Sequence, residues 1–156
     1  MADYFNDDFR DFLRALNNQQ VEYILVGGMA VILHGYVRTT GDMDVWVNKT
    51  KDNYKKLVKA LFEFGMPVFD MTEQAFLGEE FNVWVFGRSP VKIELMTAVS
   101  GLDFEPAFSQ AQIYNEANIP IRFLHINSLI ESKKAAGRFK DQDDIEKLKD
   151  NPTGNL

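Results

Sequence analysis

"LVGGMAVILHGYVRTTGDMDVWV" occupies residues Leu25 to Val47. An apolar run breaks at two adjacent glycines, resumes, and later a second apolar run carries Asp42-Met43-Asp44. Glycine between a strand and a helix lets backbone approach a ligand closely. The free N–H groups of a helix start, with the helix dipole, favour an anion there. Gly27 and Gly28, between the strand Val21–Val26 and the short apolar helix Met29–Gly35, therefore form either a phosphate cradle or a tight strand-to-helix turn. On a strand, residues i and i+2 share a face and lie roughly 7 Å apart. Asp42 and Asp44 then point one way, and Met43, Val45 and Val47 point to the opposite, apolar side. Adjacent carboxylates repel unless a cation stands between them. Oxygen-only donors suit a hard divalent cation such as magnesium. The alternative is a solvated strand end.

A further carboxylate, Glu94, lies in "PVKIELM", where Lys92, Glu94 and Met96 share one strand face and Ile93 and Leu95 the other. Beside the Asp42–Asp44 strand, Glu94 would join the pair; otherwise it pairs with Lys92 or faces solvent. Just before the aspartates, Arg38 could hold a phosphate in a bidentate contact, and Thr40 could bond a phosphate oxygen or cap the turn. Lys133, Arg138 and Lys140 could reach a triphosphate or an acceptor, or form a solvated basic face. Asp141 is expected to cap the last helix, with Asp144 in its acidic first turn. His34 reads as a packed or capping residue without chemistry. Lys51, Lys55 and Lys59 form a solvated helix stripe.

Elsewhere, helical spacing joins Phe5, Phe9, Phe12, Leu13 and Leu16 over residues 5–17. An amphipathic helix is expected over Lys51–Phe64, with Leu57, Val58, Leu61 and Phe62 on one face, stopped by Gly65. Asn82–Phe86 and Val91–Met96 read as two strands joined by the "GRSP" turn. Residues 97–118 read as irregular apart from a helix near Pro106–Gln110. Ile119–Leu124 reads as a last strand, and Ser128–Ala136 and Asp141–Lys149 as closing helices. This order predicts an α/β (α+β) fold, a mixed β-sheet with packed helices.

The 156 residues point to a single domain over 1–150 with a flexible tail at 151–156. Hydrophobic residues make up 46 %, enough for a core. No apolar run is long enough to span a membrane, and the acidic start lacks a signal-peptide pattern. Without cysteine, disulfides and thiolate zinc sites are excluded, which fits a cytoplasmic setting. A net charge of −6 argues against a broad nucleic-acid surface but leaves room for a local basic patch.

Val26-Gly27-Gly28, Asp42-Met43-Asp44 and Glu94 together resemble the nucleotidyltransferase superfamily of the DNA polymerase β type. More narrowly, "GGMAVILHGYVRTTGDMDV" and "LIESKKAAGRFKDQDDIEKL" resemble the small bacterial AbiEii-like (abortive-infection toxin) nucleotidyltransferases, over about Val21 to Leu148. Gly28 stands where many members carry Ser, and Glu94 where Asp is more usual. The resemblance implies a nucleotidyltransferase fold with a helical C-terminus. It implies transfer of a nucleoside monophosphate from a nucleoside triphosphate to a hydroxyl of RNA (tRNA included), protein or a small molecule. Mg2+ or Mn2+ would be held by Asp42, Asp44 and Glu94, with Glu94 helping to deprotonate the acceptor. Gly27, Gly28, Arg38, Thr40, Lys133, Arg138 and Lys140 would contact the nucleotide. A toxin–antitoxin partner is a further expectation. The competing reading is a non-catalytic nucleotide-binding or antitoxin-like protein of the same fold.

Overall fold

Phe9, Phe12, Leu13 and Leu16, at helical spacing, form the buried stripe of α1 (Asp7–Asn18), and the Asn6 side chain caps it by accepting the Phe9 N–H at 2.8 Å. β1 (Tyr23–Val26) is buried throughout and leads directly into α2 (Gly27–Leu33). β2 (Asp42–Val47) follows, then α3 (Lys51–Phe64), capped by Thr50 and closed by Gly65 in the left-handed conformation. The chain continues through α4 (Glu73–Leu77), β3 (Val83–Arg88), β4 (Val91–Met96) and α5 (Phe104–Gln110). It ends with β5 (Gln112–Glu116), β6 (Ile119–Phe123), α6 (Ile126–Ala136) and α7 (Phe139–Asp150). The structure, a computed structural model, describes residues 5–36, 41–88 and 91–150. Arg38, Thr40, the turn residues Ser89 and Pro90, the Lys140 side chain and the 151–156 tail lie outside the described residues.

The strands form one mixed sheet of six in the order β3-β4-β2-β1-β6-β5. β1 runs antiparallel to β2 and parallel to β6, and β2 runs parallel to β4. One face packs Leu25, Met43, Val45, Ile93 and Leu95 against α1 and α3. The other packs Ile24, Val26 and Trp46 against Ala107, Leu129 and Leu148 of the later helices. Among the described residues no helix is long and apolar enough to cross a membrane.

The α/β (α+β) expectation and its mixed sheet are borne out, with several local corrections. α2 begins at Gly27 rather than Met29, so both glycines belong to its first turn. Residues 97–118 are not irregular around one helix, because Gln112–Glu116 forms edge strand β5. Its hairpin to β6 turns at Ala117 and Asn118, both at positive φ, which hides the usual Asn-Gly signal. Helix α4 was not expected; Thr72 caps it by accepting the Ala75 N–H. On α3, Leu57 and Leu61 are buried, but Phe62 is 87 % exposed, so the buried stripe runs through Asn53, Leu57, Ala60 and Leu61.

Candidate functional site

Alternation on β2 does what its sequence demands. Met43, Val45 and Val47 fill the α1–α3 side of the sheet, and Trp46 packs on the other side. Asp42 and Asp44 share the Trp46 face. β4 adds its own set in register: Asp42 pairs with Lys92, Asp44 with Glu94 and Trp46 with Met96. Asp42, Asp44, Lys92 and Glu94 therefore stand on one face of two adjacent strands.

On the other flank of β2, Val26 at the end of β1 pairs with Asp44. The next residue, Gly27, takes φ +67, a conformation that side chains rarely adopt. A Cβ at Gly27 would collide with Asp44 Oδ2 and stand 3.0 Å from Asp44 Cγ. The first turn of α2 thus rests directly on the Asp44 carboxylate. Gly28 is the next residue of that turn.

Lys92 Nζ lies 3.6 Å from Asp42 Oδ2 and 3.5 Å from Glu94 Oε1, bridging the two. Asp42 first, and Glu94 second, raise the Lys92 pKa. The third wall comes from α6 and α7. Gly137, at φ +69, ends α6 and reverses the chain. The reversal sets Lys133 against α7, with Nζ 3.4 Å from Asp141 Oδ1 and 3.0 Å from Asp144 Oδ2, all three residues buried. Arg138 grips Asp141 in a bidentate contact, Nε to Oδ2 at 2.6 Å and an Nη to Oδ1 at 3.1 Å. Burial works against the Asp141 charge, but Arg138 and Lys133 outweigh it and its pKa lies below the usual aspartate value. Hydrogen bonding to Asp141 raises the Arg138 pKa, and Asp44 contributes to the field on Arg138.

Asp141 is not the cap of α7. It sits in the helix's first turn and accepts the Arg138 N–H from within, while Asp144 lies further along, turned onto Lys133. His34 is packed as expected: it ends α2, is buried, and lies 5.0 Å from the Phe123 ring. Burial lowers its pKa, and since a carbonyl can only accept, the neutral ring donates Nε2–H to Leu124 O at 2.8 Å.

Val26, Gly27, Asp44, Glu94, Met96, Lys133, Arg138 and Asp141 line one cleft of about 440 Å³. Five of the sequence-derived site residues therefore meet there: Gly27, Asp44, Glu94, Lys133 and Arg138. Asp42 stands on the same sheet face, and Gly28 belongs to the first turn of α2 without lining the cleft. Asp141, Met96 and Ser132 also line it and were missed as site residues. Asp141 carried a capping signal, and Met96 already shared a strand face with Glu94.

The carboxylates fit a hard divalent cation by chemistry, being oxygen donors aligned on one face. Their present spacing is wider: among the described residues no three carboxylate or imidazole side chains are gathered closely enough to hold a metal. Lys92 occupies the space between Asp42 and Glu94.

Known structures share the architecture. The lincosamide antibiotic adenylyltransferase LnuA, solved with lincomycin bound, is similar at TM-score 0.60 and 16 % identity, covering 92 % of this chain and 96 % of that one. A proposed nucleotidyltransferase from Thermotoga maritima gives TM-score 0.60 and 15 % identity over 90 % and 89 % of the chains. ANT(2")-Ia in complex with adenylyl-2"-tobramycin gives TM-score 0.55 and 15 % identity over 88 % and 83 %. At these identities the likeness establishes the fold. No curated protein matches the sequence significantly. The family model described as "nucleotidyltransferase of unknown function (DUF6036)" matches residues 8–149, and the chain belongs to that nucleotidyltransferase family.

Proposed function

We propose that this chain, acting as one domain over residues 1–150, is a metal-dependent nucleotidyltransferase that moves a nucleoside monophosphate from a triphosphate to a hydroxyl. The observation that carries this reading is the parallel register that sets Asp44 beside Glu94, with Asp42 on the same face and the Gly27 turn pressed onto Asp44. Asp42, Asp44 and Glu94 would hold Mg2+ or Mn2+. When bound, such an ion supplies charge neutralisation for the triphosphate and for the leaving group. Glu94, on the outer strand of the pair, accepts the proton of the attacking hydroxyl. The hydroxyl oxygen bonds to the α-phosphorus, the bond to the β-phosphate bridging oxygen breaks, and pyrophosphate leaves. Backbone N–H groups of Gly27 and Gly28 face the phosphates. Arg138, more than half exposed at the cleft, offsets phosphate charge. Lys133 contributes from the cleft wall while shared with Asp141 and Asp144. Arg38, Thr40 and Lys140 are further nucleotide contacts that the sequence resemblance alone implies.

A small hydroxylated acceptor heads the candidates, because the net charge of −6 disfavours a polyanion. The acceptors named for LnuA and ANT(2")-Ia are antibiotics, which supports the same choice. The AbiEii-like subtype, with an RNA acceptor and a toxin–antitoxin partner, is carried by the sequence resemblance alone, and a cytoplasmic setting by the cysteine-free composition.

The test is transfer from α-labelled nucleoside triphosphates, with magnesium, to a panel of lincosamide, aminoglycoside and total RNA. Wild type should label at least one acceptor, and Asp44→Asn should label none. Glu94→Gln should keep triphosphate affinity within a few-fold and lose transfer by at least ~100-fold. Triphosphate binding by calorimetry with no transfer to any acceptor would leave the binding-only alternative.

A further inference from the structure

Resting on the metal-binding reading above, we propose that Lys92 is a positioning residue that stands in for the divalent cation. Its ammonium bridges Asp42 and Glu94 in the metal-free protein and is displaced when an ion enters. Three features carry this. The first is placement: Lys92 is the register partner of Asp42 and lies two residues before Glu94 on β4, so one cation serves carboxylates from two strands. The second is looseness. The contacts of 3.6 and 3.5 Å exceed the roughly 2.7–2.9 Å of a tight charge-assisted bond. The side chain is 34 % exposed, so water screens the pair and the contact breaks readily.

The third feature is an exit. Lys92's partner on β3 is Gly87, which puts no side chain on that flank, and β3 is the sheet's edge strand. A displaced ammonium can therefore swing outward over the edge. A divalent ion carries twice the charge of an ammonium, which favours the exchange beside carboxylates. The consequence is a site that loads only above a threshold of metal, because each incoming ion must evict a resident cation.

The experiment titrates the full chain with Mn2+ alone, without nucleotide, reading free ion by electron paramagnetic resonance and stability by thermal melting. Wild type, Lys92→Met, Lys92→Arg and Asp44→Asn are compared. Lys92→Met should bind Mn2+ at least ~10-fold tighter, because a competing positive charge has left the site. Its metal-free form should melt below wild type, and its gain in melting temperature with Mn2+ should exceed the wild-type gain. Lys92→Arg, which keeps the charge, should bind no tighter than wild type. Unchanged or weaker Mn2+ binding by Lys92→Met overturns the proposal, while wild-type binding that is lost in Asp44→Asn keeps the metal reading. No Mn2+ binding by either wild type or Lys92→Met overturns both. Should Lys92→Met not fold, Lys92→Gln, which still hydrogen-bonds both carboxylates without charge, is read by the same criterion.

Discussion

Gly27 is where a backbone conformation and a carboxylate meet. Its positive φ alone makes a β-carbon unfavourable by about 1–2 kcal/mol, and the added atom would also strike Asp44. Gly27→Ala is therefore expected to lower unfolding free energy by at least ~1–2 kcal/mol in denaturant titrations. Because Asp44 must shift, the variant should also weaken Mn2+ binding. Gly41 is the control: a β-carbon there meets nothing within 4 Å, so Gly41→Ala should leave both quantities unchanged. His34 gives a second prediction at this scale. Burial holds its pKa below the ordinary value near 6.5. The folded state thus prefers the neutral ring, and the associated stability is present above about pH 6.5 and lost as pH falls through the lowered folded value. His34→Gln, which can still donate to Leu124, should flatten the pH dependence of stability in that window. The sequence showed that a Gly-Gly turn precedes the aspartates. It did not show which glycine touches Asp44, because that depends on a φ value set by the β1–β2 register.

At the scale of elements, the α6–α7 corner depends on Lys133. Two buried aspartates from α7 share its ammonium, and Arg138 holds one of them from the cleft side. Removing one partner of a buried charge group typically costs about 3–5 kcal/mol, because the remaining charges lose their compensation. Lys133→Met is expected to destabilise the protein by about that much at neutral pH, measured by denaturant unfolding. Asp141 adds an acid limb. Its folded pKa lies below the ordinary value, so its contribution is present above about pH 4 and lost as pH falls through the folded value. Asp141→Asn should remove that limb. Residues 128–148 were legible as helices and as a basic-acidic motif, but the partners were not. Lys133 finds Asp141 and Asp144 only because Gly137 reverses the chain between two helices, a three-dimensional fact with no period in the sequence. In the same way β5 is mostly polar and is followed by the turn Ala117-Asn118, so neither alternation nor turn chemistry marked it.

For the whole molecule, strand order sets which parts open first. β1 and β2 lie inside the sheet with a packed layer on each side, whereas β3 and β5 are the two edges. Amide exchange is expected to be slowest in β1 and β2 and fastest, among the strands, in β3 and β5. If β1 exchanges before β3, this ordering is wrong. Alternation along β2 and β4 revealed which residues share a face, but their adjacency came from topology.

That adjacency reaches beyond catalysis. Because side chains alternate, a slip of one residue between β2 and β4 would move Glu94 away from Asp44 and force it, or the aspartates, among Met43, Val45, Ile93 and Leu95. The hydrophobic layer under α1 and α3 therefore acts as an inspector of the carboxylates above it. A chain that packs its core wrongly cannot present half a site, so the folded population should be uniformly competent rather than graded in quality.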